Sequence, residues 1–281
     1  MRTQIEVYKM SIEKFASMIN ECNNIVFFGG AGVSTESGVK DYRSEDGLYN
    51  TVKDYGVMPE TILSIDFFEE QPDVFYDFYR KYFTMEVEPN KAHKALAELE
   101  NMGKLKAIIT QNIDGLHQKA GSKNVIELHG TTKKFYCHSC NKTLALDEIM
   151  ADIKAEQVPK CKYCGGLAKP KVVLYGEMLY DGVAESAIEY IANSDMLIVG
   201  GTSLAVHPAA SFVRYFKGKY IVIINKTATD FDNNADLVFR ESIGTVFEEV
   251  MKNVESGVRK KLCKQYLTTL DKAKITGISL I

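Results

Sequence analysis

Four of the six cysteines form two Cys-x-x-Cys pairs, Cys137 with Cys140 and Cys161 with Cys164. Tetrahedral zinc takes four soft ligands, and each such pair supplies two thiolates from one turn. Because four thiolates leave no open position for water, the pattern predicts one structural Zn²⁺ ion rather than a catalytic one. A redox pair and buried thiols without metal are the alternatives, and the spacing favours zinc over both.

A cluster of glycines, Gly29, Gly30 and Gly32, follows the apolar residues 25–28. Glycines at such a place let the backbone turn tightly and bring amide N–H groups close to a phosphate. Thr35 stands where the third glycine of the usual dinucleotide fingerprint would be. A tight turn without a ligand is therefore an equal alternative.

Another apolar run is followed by the string TQNIDGLH, residues 110–117. In doubly wound folds, ligands lie beyond the carboxyl ends of the strands. An amide, an apolar residue and a carboxylate presented there together are suited to holding a carboxamide. The alternative for this segment alone is an Asx turn or a helix cap.

His129 stands before Gly130 in the string ELHG, and a histidine beside glycine at a strand end is a credible general base near neutral pH. A satisfied structural histidine is the commoner alternative. Residues 201–204 and 225–226 also follow apolar runs and carry small polar groups suited to phosphate and ribose hydroxyls. Each of these two segments could equally be a plain loop.

The elements that must position these residues follow from hydrophobic periodicity. Apolar runs with strand character occupy residues 25–28, 107–110, 172–175, 196–199 and 220–224. Helical patterns occupy residues 11–22, 91–102 and 183–193. Continuous apolar runs that alternate with helices predict a parallel sheet covered on both faces, which is a doubly wound, Rossmann-like α/β fold.

Two stretches interrupt this alternation. Residues 40–87 are rich in aromatic side chains and read as loop plus helices, whereas residues 131–169 carry the four paired cysteines. We expect these insertions to form one small domain, composed of a helical module and a zinc-binding module of the zinc-ribbon type. The Rossmann-like domain would then contain residues 1–39, 88–130 and 170–281.

The composition, 46% hydrophobic and 25% charged over 281 residues, suits a globular enzyme. A formal net charge of −3 argues against a general polyanion binder, so no direct nucleic-acid partner is expected. No stretch approaches the roughly 18 apolar residues that a membrane span needs, and the opening residues do not form a secretory signal. The sequence therefore predicts a cytoplasmic protein with no membrane partner.

Taken together, the motifs resemble the sirtuin family from roughly residue 11 to residue 250. The matching strings keep that family's order and spacing, and they include the two Cys-x-x-Cys pairs. The others are GAGVSTESG (30–38), DYRS (41–44), TQNIDGLH (110–117), ELHG (127–130), VVLYGE (172–177) and GTSLAVHPAA (201–210). The chain departs from the family pattern at Lys169 and Lys171, where the family often has arginine and aspartate.

The resemblance implies NAD as a consumed cosubstrate, bound by residues that match the family's motifs. These are Ala31, Thr35, Tyr42, Arg43, Gln111, Asn112, Ile113, Asp114, Thr202, Ser203, Asn225 and Ile243. It also implies that His129 is the catalytic base, with Asn112 as a second catalytic residue. The acyl-lysine protein substrate would add as a strand beside Val173, Tyr175, Gly176 and Glu177.

In the mechanism that this resemblance implies, nicotinamide leaves NAD and the acyl oxygen of the substrate lysine captures the anomeric carbon. His129 then deprotonates a ribose hydroxyl, which attacks the captured carbon of the acyl group. Water completes the sequence, and the products are nicotinamide, O-acyl-ADP-ribose and free lysine. The predicted function is that of a monomeric NAD-dependent protein lysine deacetylase.

Three other functions compete with this one. The same fold could transfer ADP-ribose to a protein side chain. A classical NAD dehydrogenase would need an acidic residue after the second strand, which this chain lacks. A zinc-knuckle module that binds nucleic acid would need a dense basic stripe, and none is present.

One local comparison bears on the acyl group. Family members that remove succinyl or malonyl groups carry a tyrosine and, three residues later, an arginine. Here Tyr76 is present, but Tyr79 occupies the arginine position and Arg80 lies one residue further along. The resemblance therefore implies an apolar acyl pocket that accepts acetyl or longer uncharged acyl groups.

Overall fold

The structure is a computed structural model, and it describes residues 3–41 and 47–254. The predicted cofactor residues Tyr42 and Arg43 lie outside these residues. Nine strands occur in the described part of the chain. They are β1 (Ile25–Gly29), β2 (Leu105–Thr110), β3 (Val125–Glu127), β4 (Gly130–Cys137), β5 (Thr143–Leu144), β6 (Ala168–Val172), β7 (Met196–Gly200), β8 (Tyr220–Ile224) and β9 (Leu237–Phe239).

The α-helices range from single turns to a helix of 18 residues. They are α1 (Gln4–Glu21), α2 (Val52–Tyr55), α3 (Pro59–Ile62), α4 (Ile65–Glu70), α5 (Pro72–Phe83), α6 (Lys91–Asn101), α7 (Leu116–Lys119), α8 (Leu146–Lys154) and α9 (Val183–Ala192). Residues 243–254 are also helical. None of the described helices has both the length and the apolar character that a membrane span requires.

Helix α1 begins earlier than the apolar stripe over residues 11–22 predicts. Thr3 and Glu6 form a capping box, in which each side chain accepts the other residue's backbone N–H. The predicted stripe residues Phe15 and Ile19 are fully buried against the sheet. The sequence thus predicted the buried face, whereas the capping box sets the start of the helix.

Six strands form the large sheet in the spatial order β3-β2-β1-β7-β8-β9. Every neighbouring pair in it is parallel. The strand order reverses between β1 and β7, and such a switch point opens a crevice at the carboxyl ends of the strands.

Successive residues of β1 point to opposite faces of the sheet, so that Phe27 joins one buried core and Phe28 another. Helices α1 and α6 and residues 243–254 cover the Phe27 face. Helix α9 and the 3-10 helix Ala209–Tyr215 cover the opposite face. The predicted doubly wound α/β fold is therefore confirmed.

Four of the five predicted strands belong to this sheet, and the prediction for residues 172–175 was wrong. Val172 instead ends β6, which pairs antiparallel with β4 in a separate three-stranded sheet of order β5-β4-β6. The run is apolar because Val172 and Leu174 are buried in the core of the smaller part of the molecule. Strands β3 and β9, which were not predicted, have three residues each and are mostly only partly buried.

The two insertions share one hydrophobic core. Phe68 and Tyr76 come from the helical module, and Phe135 and Ile153 come from the module that carries the cysteines. This shared core supports the assignment of both insertions to one small domain. The antiparallel pair β4–β6 extends from residue 130 to residue 172, so it crosses both predicted domain boundaries by a few residues.

Candidate active site

The carboxyl ends of four parallel strands meet at one edge of the large sheet. Gly29 pairs with Thr110 on one side and with Gly200 on the other, and Gly200 pairs with Ile224. The segments that follow these strands therefore lie together at the switch point. They contain the predicted residues Ala31, Thr35, Gln111, Asn112, Ile113, Asp114, Thr202, Ser203 and Asn225.

The glycine turn after β1 packs directly against the loop after β7. Gly30 donates its N–H to the carbonyl oxygen of Gly200 at 3.1 Å, and Gly32 donates to that of Gly201 at 2.8 Å. A Cβ atom on Gly32 would lie 2.8 Å from the Cα atom of Gly201. A Cβ atom on Gly201, whose φ is +59°, would clash with the backbone of Val33. The glycines therefore have a structural role, which is to let the two loops pack closely. The sequence allowed this role as an alternative to phosphate binding.

A buried serine, Ser34, links the turn after β1 to the loop after β2. Its hydroxyl donates to the Asp114 carboxylate at 2.7 Å and accepts from the Asn112 side-chain amide at 3.1 Å. The second oxygen of Asp114 accepts the Leu116 N–H at 2.8 Å, which is the Asx turn of the alternative interpretation. Ser34 was not among the predicted site residues, since no local pattern announces partners so distant in the chain.

The other predicted cofactor residues at this edge hold the loops in place. Gln111 donates its side-chain amide to the Thr202 hydroxyl at 3.1 Å and so joins the loops after β2 and β7. Thr35 donates its hydroxyl within its own turn, and Asn225 donates its amide within the loop after β8. Ser203 is exposed, and Ala31 is half-buried.

Ile113 and Ile243 take up different positions around this edge. The carbonyl oxygen of Ile113 accepts both the N–H and the hydroxyl of Thr132 at 3.0 Å, which ties the loop after β2 to β4. Ile243 is 3% exposed and belongs to the core on the Phe27 face. The structure therefore places Ile243 beneath the carboxyl edge rather than on its surface.

His129 lies between β3 and β4, half-buried, and its ring faces the loop after β2. Its Nδ1 atom is 3.0 Å from the carbonyl oxygen of Gln111. A carbonyl oxygen can only accept, so Nδ1 carries the proton and Nε2 keeps its lone pair. Burial lowers the pKa of His129, although the hydrogen bond to Gln111 opposes this shift. The ring is therefore a neutral imidazole near pH 7, as a general base must be.

The predicted peptide-binding residues form a short segment, 172–177, that is anchored on both sides. Val173 donates its N–H to the carbonyl oxygen of His129 at 2.9 Å. The main chain of Tyr175 bonds to the carbonyl oxygen of Leu63 at 2.9 Å and to the N–H of Ile65 at 3.0 Å. This segment thus connects the candidate base to the helical module.

The last two residues of this segment differ in their environment: Gly176 faces solvent, whereas the Glu177 side chain bonds within the protein. Gly176 is exposed and has a φ of +92°, a conformation that favours glycine. The Glu177 carboxylate turns inward, where it accepts the Leu174 N–H at 2.7 Å and pairs with Lys169 at 2.8 Å. Glu177 is therefore engaged by the protein itself.

Two buried histidines, His93 and His117, pack behind the polar loops with their ring centroids 4.7 Å apart. Burial lowers the pKa of His117 to about 3. Burial also lowers the pKa of His93 to about 4, although the negative charges of Asp114 and Glu36 oppose that shift. Both rings are therefore neutral at physiological pH.

The four paired cysteines converge at one point, with all sulfur atoms within 4.8 Å of one another. The Sγ atoms of Cys137 and Cys164 are 3.4 Å apart, and those of Cys140 and Cys161 are 3.9 Å apart. A tetrahedron with Zn–S bonds of about 2.3 Å has sulfur–sulfur edges of about 3.8 Å. The sulfur–sulfur distances are close to these edges, so the four thiols fit a zinc ion, as the spacing predicts.

Fold and site together define a doubly wound α/β protein with polar loops gathered at its switch point and an inserted four-cysteine module. The chain belongs to the Sir2 family, whose profile matches residues 30–208. The resemblance to sirtuins is thereby confirmed.

Relatives that are similar over nearly their whole length are NAD-dependent protein deacetylases. Those of Clostridium acetobutylicum and Clostridium tetani are both 52% identical to this chain. The alignments cover 85% and 84% of this chain and 98% and 96% of the respective relatives.

Solved structures of Sir2 enzymes share the fold. One from a study of the mechanism and regulation of Sir2 enzymes has a TM-score of 0.81 and 38% identity, and covers 88% of this chain and 99% of its own. Another is a Sir2 mutant with a deacetylated p53 peptide and 3′-O-acetyl ADP-ribose. It has a TM-score of 0.79 and 36% identity, and covers 86% of this chain and 97% of its own.

Proposed function

We propose that this chain is an NAD-dependent protein lysine deacetylase with His129 as the catalytic base. One observation carries the proposal: His129 joins the nucleotide crevice to the predicted peptide segment. Its ring bonds to the carbonyl oxygen of Gln111, and its own carbonyl oxygen accepts the Val173 N–H. A base between two substrates is what acyl transfer from lysine to a ribose requires. The deacetylase relatives support the same reaction.

We propose that NAD binds beyond the carboxyl edge of the large sheet, where glycines from two loops meet and small hydroxyl and amide side chains lie together. We assign phosphate and ribose contacts to these groups and carboxamide contacts to the loop after β2. The proposed contacts are Ala31, Thr35, Tyr42, Arg43, Gln111, Asn112, Ile113, Asp114, Thr202, Ser203 and Asn225. Ile243, which is buried just beneath this edge beside Gly200, is proposed to lie near the adenine.

NAD supplies the electrophilic ribose carbon and the hydroxyl groups, and it is consumed in the reaction. The protein positions the two substrates and removes a proton from a ribose hydroxyl. Ser34 holds Asn112 and Asp114 in one arrangement before any ligand arrives. Nε2 of His129 accepts the proton of a ribose hydroxyl, and the hydrogen bond from Nδ1 to Gln111 steadies the imidazolium that forms. That hydroxyl would then attack the acyl carbon, the His129 imidazolium would return its proton to the departing lysine amine, and one water would complete the O-acyl-ADP-ribose product.

The substrate would add as an extended strand beside residues 173–177, a mode that takes its affinity from main-chain hydrogen bonds. Tyr175 already pairs inward with residues 63 and 65, which holds this part of the segment extended. We propose that one chain suffices for activity, because the base, the crevice and the peptide segment all come from this chain. We also propose a cytoplasmic location, where NAD is available and four zinc-binding thiolates stay reduced.

The acyl pocket is proposed to accept uncharged groups. The hydroxyls of the buried Tyr76 and Tyr79 donate to the carbonyl oxygens of Ala168 and Thr132. Arg80 pairs with Asp77 on its own helix, so its guanidinium is engaged away from any acyl carboxylate. A succinyl or malonyl group would therefore meet no cation among these residues.

The test is a panel of one lysine peptide that carries acetyl, butyryl, succinyl or no acyl group, incubated with and without NAD and read by mass. We expect the acetyl and butyryl groups to be lost only with NAD, with appearance of O-acyl-ADP-ribose, and the succinyl group to remain. Gain of ADP-ribose on a peptide that keeps its acetyl group would instead establish the ADP-ribosyltransferase function. Retention of the acetyl group with no other change would refute the proposal.

A further inference from the structure

Lys169 is completely buried, with a side chain that is 0% exposed. It lies on β6, where the sheet that carries the cysteines approaches the peptide segment. Lysine is almost never fully buried unless its ammonium is paired, since removing that charge from water is costly. A lysine in this position therefore requires an explanation.

The ammonium group of Lys169 makes two hydrogen bonds, both to the peptide segment. It donates to the carbonyl oxygen of Val172 at 2.9 Å and to Oε2 of Glu177 at 2.8 Å. It also lies 5.5 Å from the centroid of the Tyr136 ring, within the range of a cation–π contact. The lysine thus bonds both ends of the segment.

Glu177 also bonds to Leu174, in the middle of the segment. The same Oε2 atom accepts the Leu174 N–H at 2.7 Å, and the Glu177 N–H donates to the carbonyl oxygen of Leu174 at 3.0 Å. Residues 172–177 are therefore closed into a loop around one ion pair, in which Lys169 is buried and Glu177 is half-buried. The same loop contains Val173, which bonds to the carbonyl oxygen of His129, and Tyr175, which bonds to the helical module.

We infer that Lys169 is a positioning residue for the protein substrate, acting through Glu177 to hold the peptide segment in its binding conformation. The inference rests on the proposed deacetylase function. It also gives Glu177 a role that differs from a direct peptide contact: the carboxylate orients the Leu174 N–H and the residues beside it. Because the pair contacts none of the residues assigned to NAD, its effect falls on the peptide and not on NAD.

A purely stabilising role is the competing explanation, and the chain offers variants that separate the two. Replacing a buried ion pair by apolar residues of similar volume is often neutral or stabilising, whereas removing one partner is strongly destabilising. The double variant Lys169→Met/Glu177→Leu therefore keeps a filled core but loses the hydrogen bond to Leu174. Lys169→Arg keeps the cation and its bonds. Lys171→Met is the matched control, since it removes an exposed lysine from the same strand.

The experiment measures melting temperature, the Kd of an acetyl-lysine peptide, the Kd of NAD, and hydrogen exchange at the Leu174 amide. For Lys169→Met we expect the peptide Kd to rise at least about tenfold and the NAD Kd to stay within about twofold. The double variant should melt near the wild type, yet show the same weak peptide binding and faster exchange at Leu174. Lys169→Arg and Lys171→Met should resemble the wild type in every readout.

Wild-type peptide affinity in a folded Lys169→Met protein would overturn the inference, and so would wild-type affinity in the double variant. Should Lys169→Met fail to fold, the double variant alone decides. Equal losses of peptide and NAD binding would assign a stabilising role only. Failure of the proposed function looks different: the wild type itself would not bind the acetyl-lysine peptide, while exchange at Leu174 would still respond to Lys169.

Discussion

The Nδ1 atom of His129 lies 3.0 Å from the carbonyl oxygen of Gln111, the residue that follows strand β2. This bond fixes the ring at the crevice and fixes its tautomer, because a carbonyl oxygen accepts only from a protonated nitrogen. The lone pair of Nε2 is therefore available to a substrate hydroxyl. The proposed role of this ring as the catalytic base leads to two separate predictions.

His129→Ala should abolish NAD-dependent deacetylation and leave the fold intact. A general base contributes about 10²–10⁴ in rate, so kcat should fall by at least about a hundredfold. Steady-state kinetics on an acetyl-lysine peptide checks this, with circular dichroism as the test of folding. His138→Ala is the matched control, because that partly exposed histidine pairs with Glu69 outside the crevice. Full activity of His129→Ala would remove the ring from the mechanism.

The pH–rate profile should place the acid limb of kcat/KM below the ordinary imidazole pKa of about 6.5. Burial lowers the pKa of His129, so the neutral base persists at pH values where an exposed histidine is already protonated. Activity is lost only as the pH falls through this lowered pKa. Rates measured from about pH 5 to about pH 8 test the prediction. An acid limb above neutrality would mean that another group controls the step.

The buried histidines predict that stability falls in acid. The pKa of His117 is lowered to about 3 and that of His93 to about 4, so between those values and about 6.5 only the unfolded chain binds their protons. Stability is therefore present above about pH 6.5 and is lost as the pH falls, by about 1.4 kcal/mol per unit for each such group. Urea unfolding at several pH values measures this slope.

His117→Phe should reduce that slope, because it removes one of the two buried protonation sites and keeps an apolar ring. An undiminished slope in His117→Phe would locate the acid sensitivity elsewhere.

Removal of a zinc ligand should unfold the small domain. Cys137→Ser and Cys161→Ser each remove a buried ligand, and structural zinc contributes directly to folding free energy. We expect zinc content to fall from one equivalent toward zero, with a clear drop in melting temperature. Cys22→Ala is the control. This buried thiol lies in the core on the Phe27 face of the large sheet, so zinc content should not change. Wild-type melting in a zinc-free Cys161→Ser protein would refute the structural assignment.

The four central strands of the large sheet, β2, β1, β7 and β8, were predictable because their side chains are mostly buried on both faces. Residues 220–224 form β8 as the apolar run predicts, and β1 extends the predicted run by Gly29 alone. The apolar run at residues 172–175 led to a wrong prediction. Apolar residues indicate that a segment is buried, but they do not indicate which part of the protein buries it. Val172 is buried against the small domain instead.

The positions of the site motifs were predictable for a related reason, since parallel strands bring their carboxyl ends to one edge. The contacts between motifs were not. Ser34 and Asp114 are 80 residues apart, and nothing local to either residue indicates the other. Lys169 was equally hidden, because a lysine between alanine and proline reads as an exposed charge. Only the packing of β6 against the peptide segment reveals it as buried.

Substitution of Gly201 by alanine should weaken NAD binding, and the strain of a positive φ at that residue is not enough to account for the loss. Alanine at a positive φ costs about 1–3 kcal/mol wherever it occurs. At Gly201 the added Cβ atom would also clash with the backbone of Val33, so the loops after β1 and β7 must separate. Because the proposed phosphate contacts span these two loops, we expect Gly201→Ala to raise the Kd of NAD by at least about tenfold.

Gly182→Ala is the matched control for this prediction. Gly182 has a similar left-handed conformation, with φ +76°, but no atom within 4 Å of the position that its Cβ would occupy. It should therefore lose comparable stability through backbone strain and bind NAD as the wild type does. Calorimetric titration of NAD into both variants makes the comparison. If Gly201→Ala and Gly182→Ala bind NAD with equal affinity, the close packing of the two glycine turns contributes to folding and not to NAD binding.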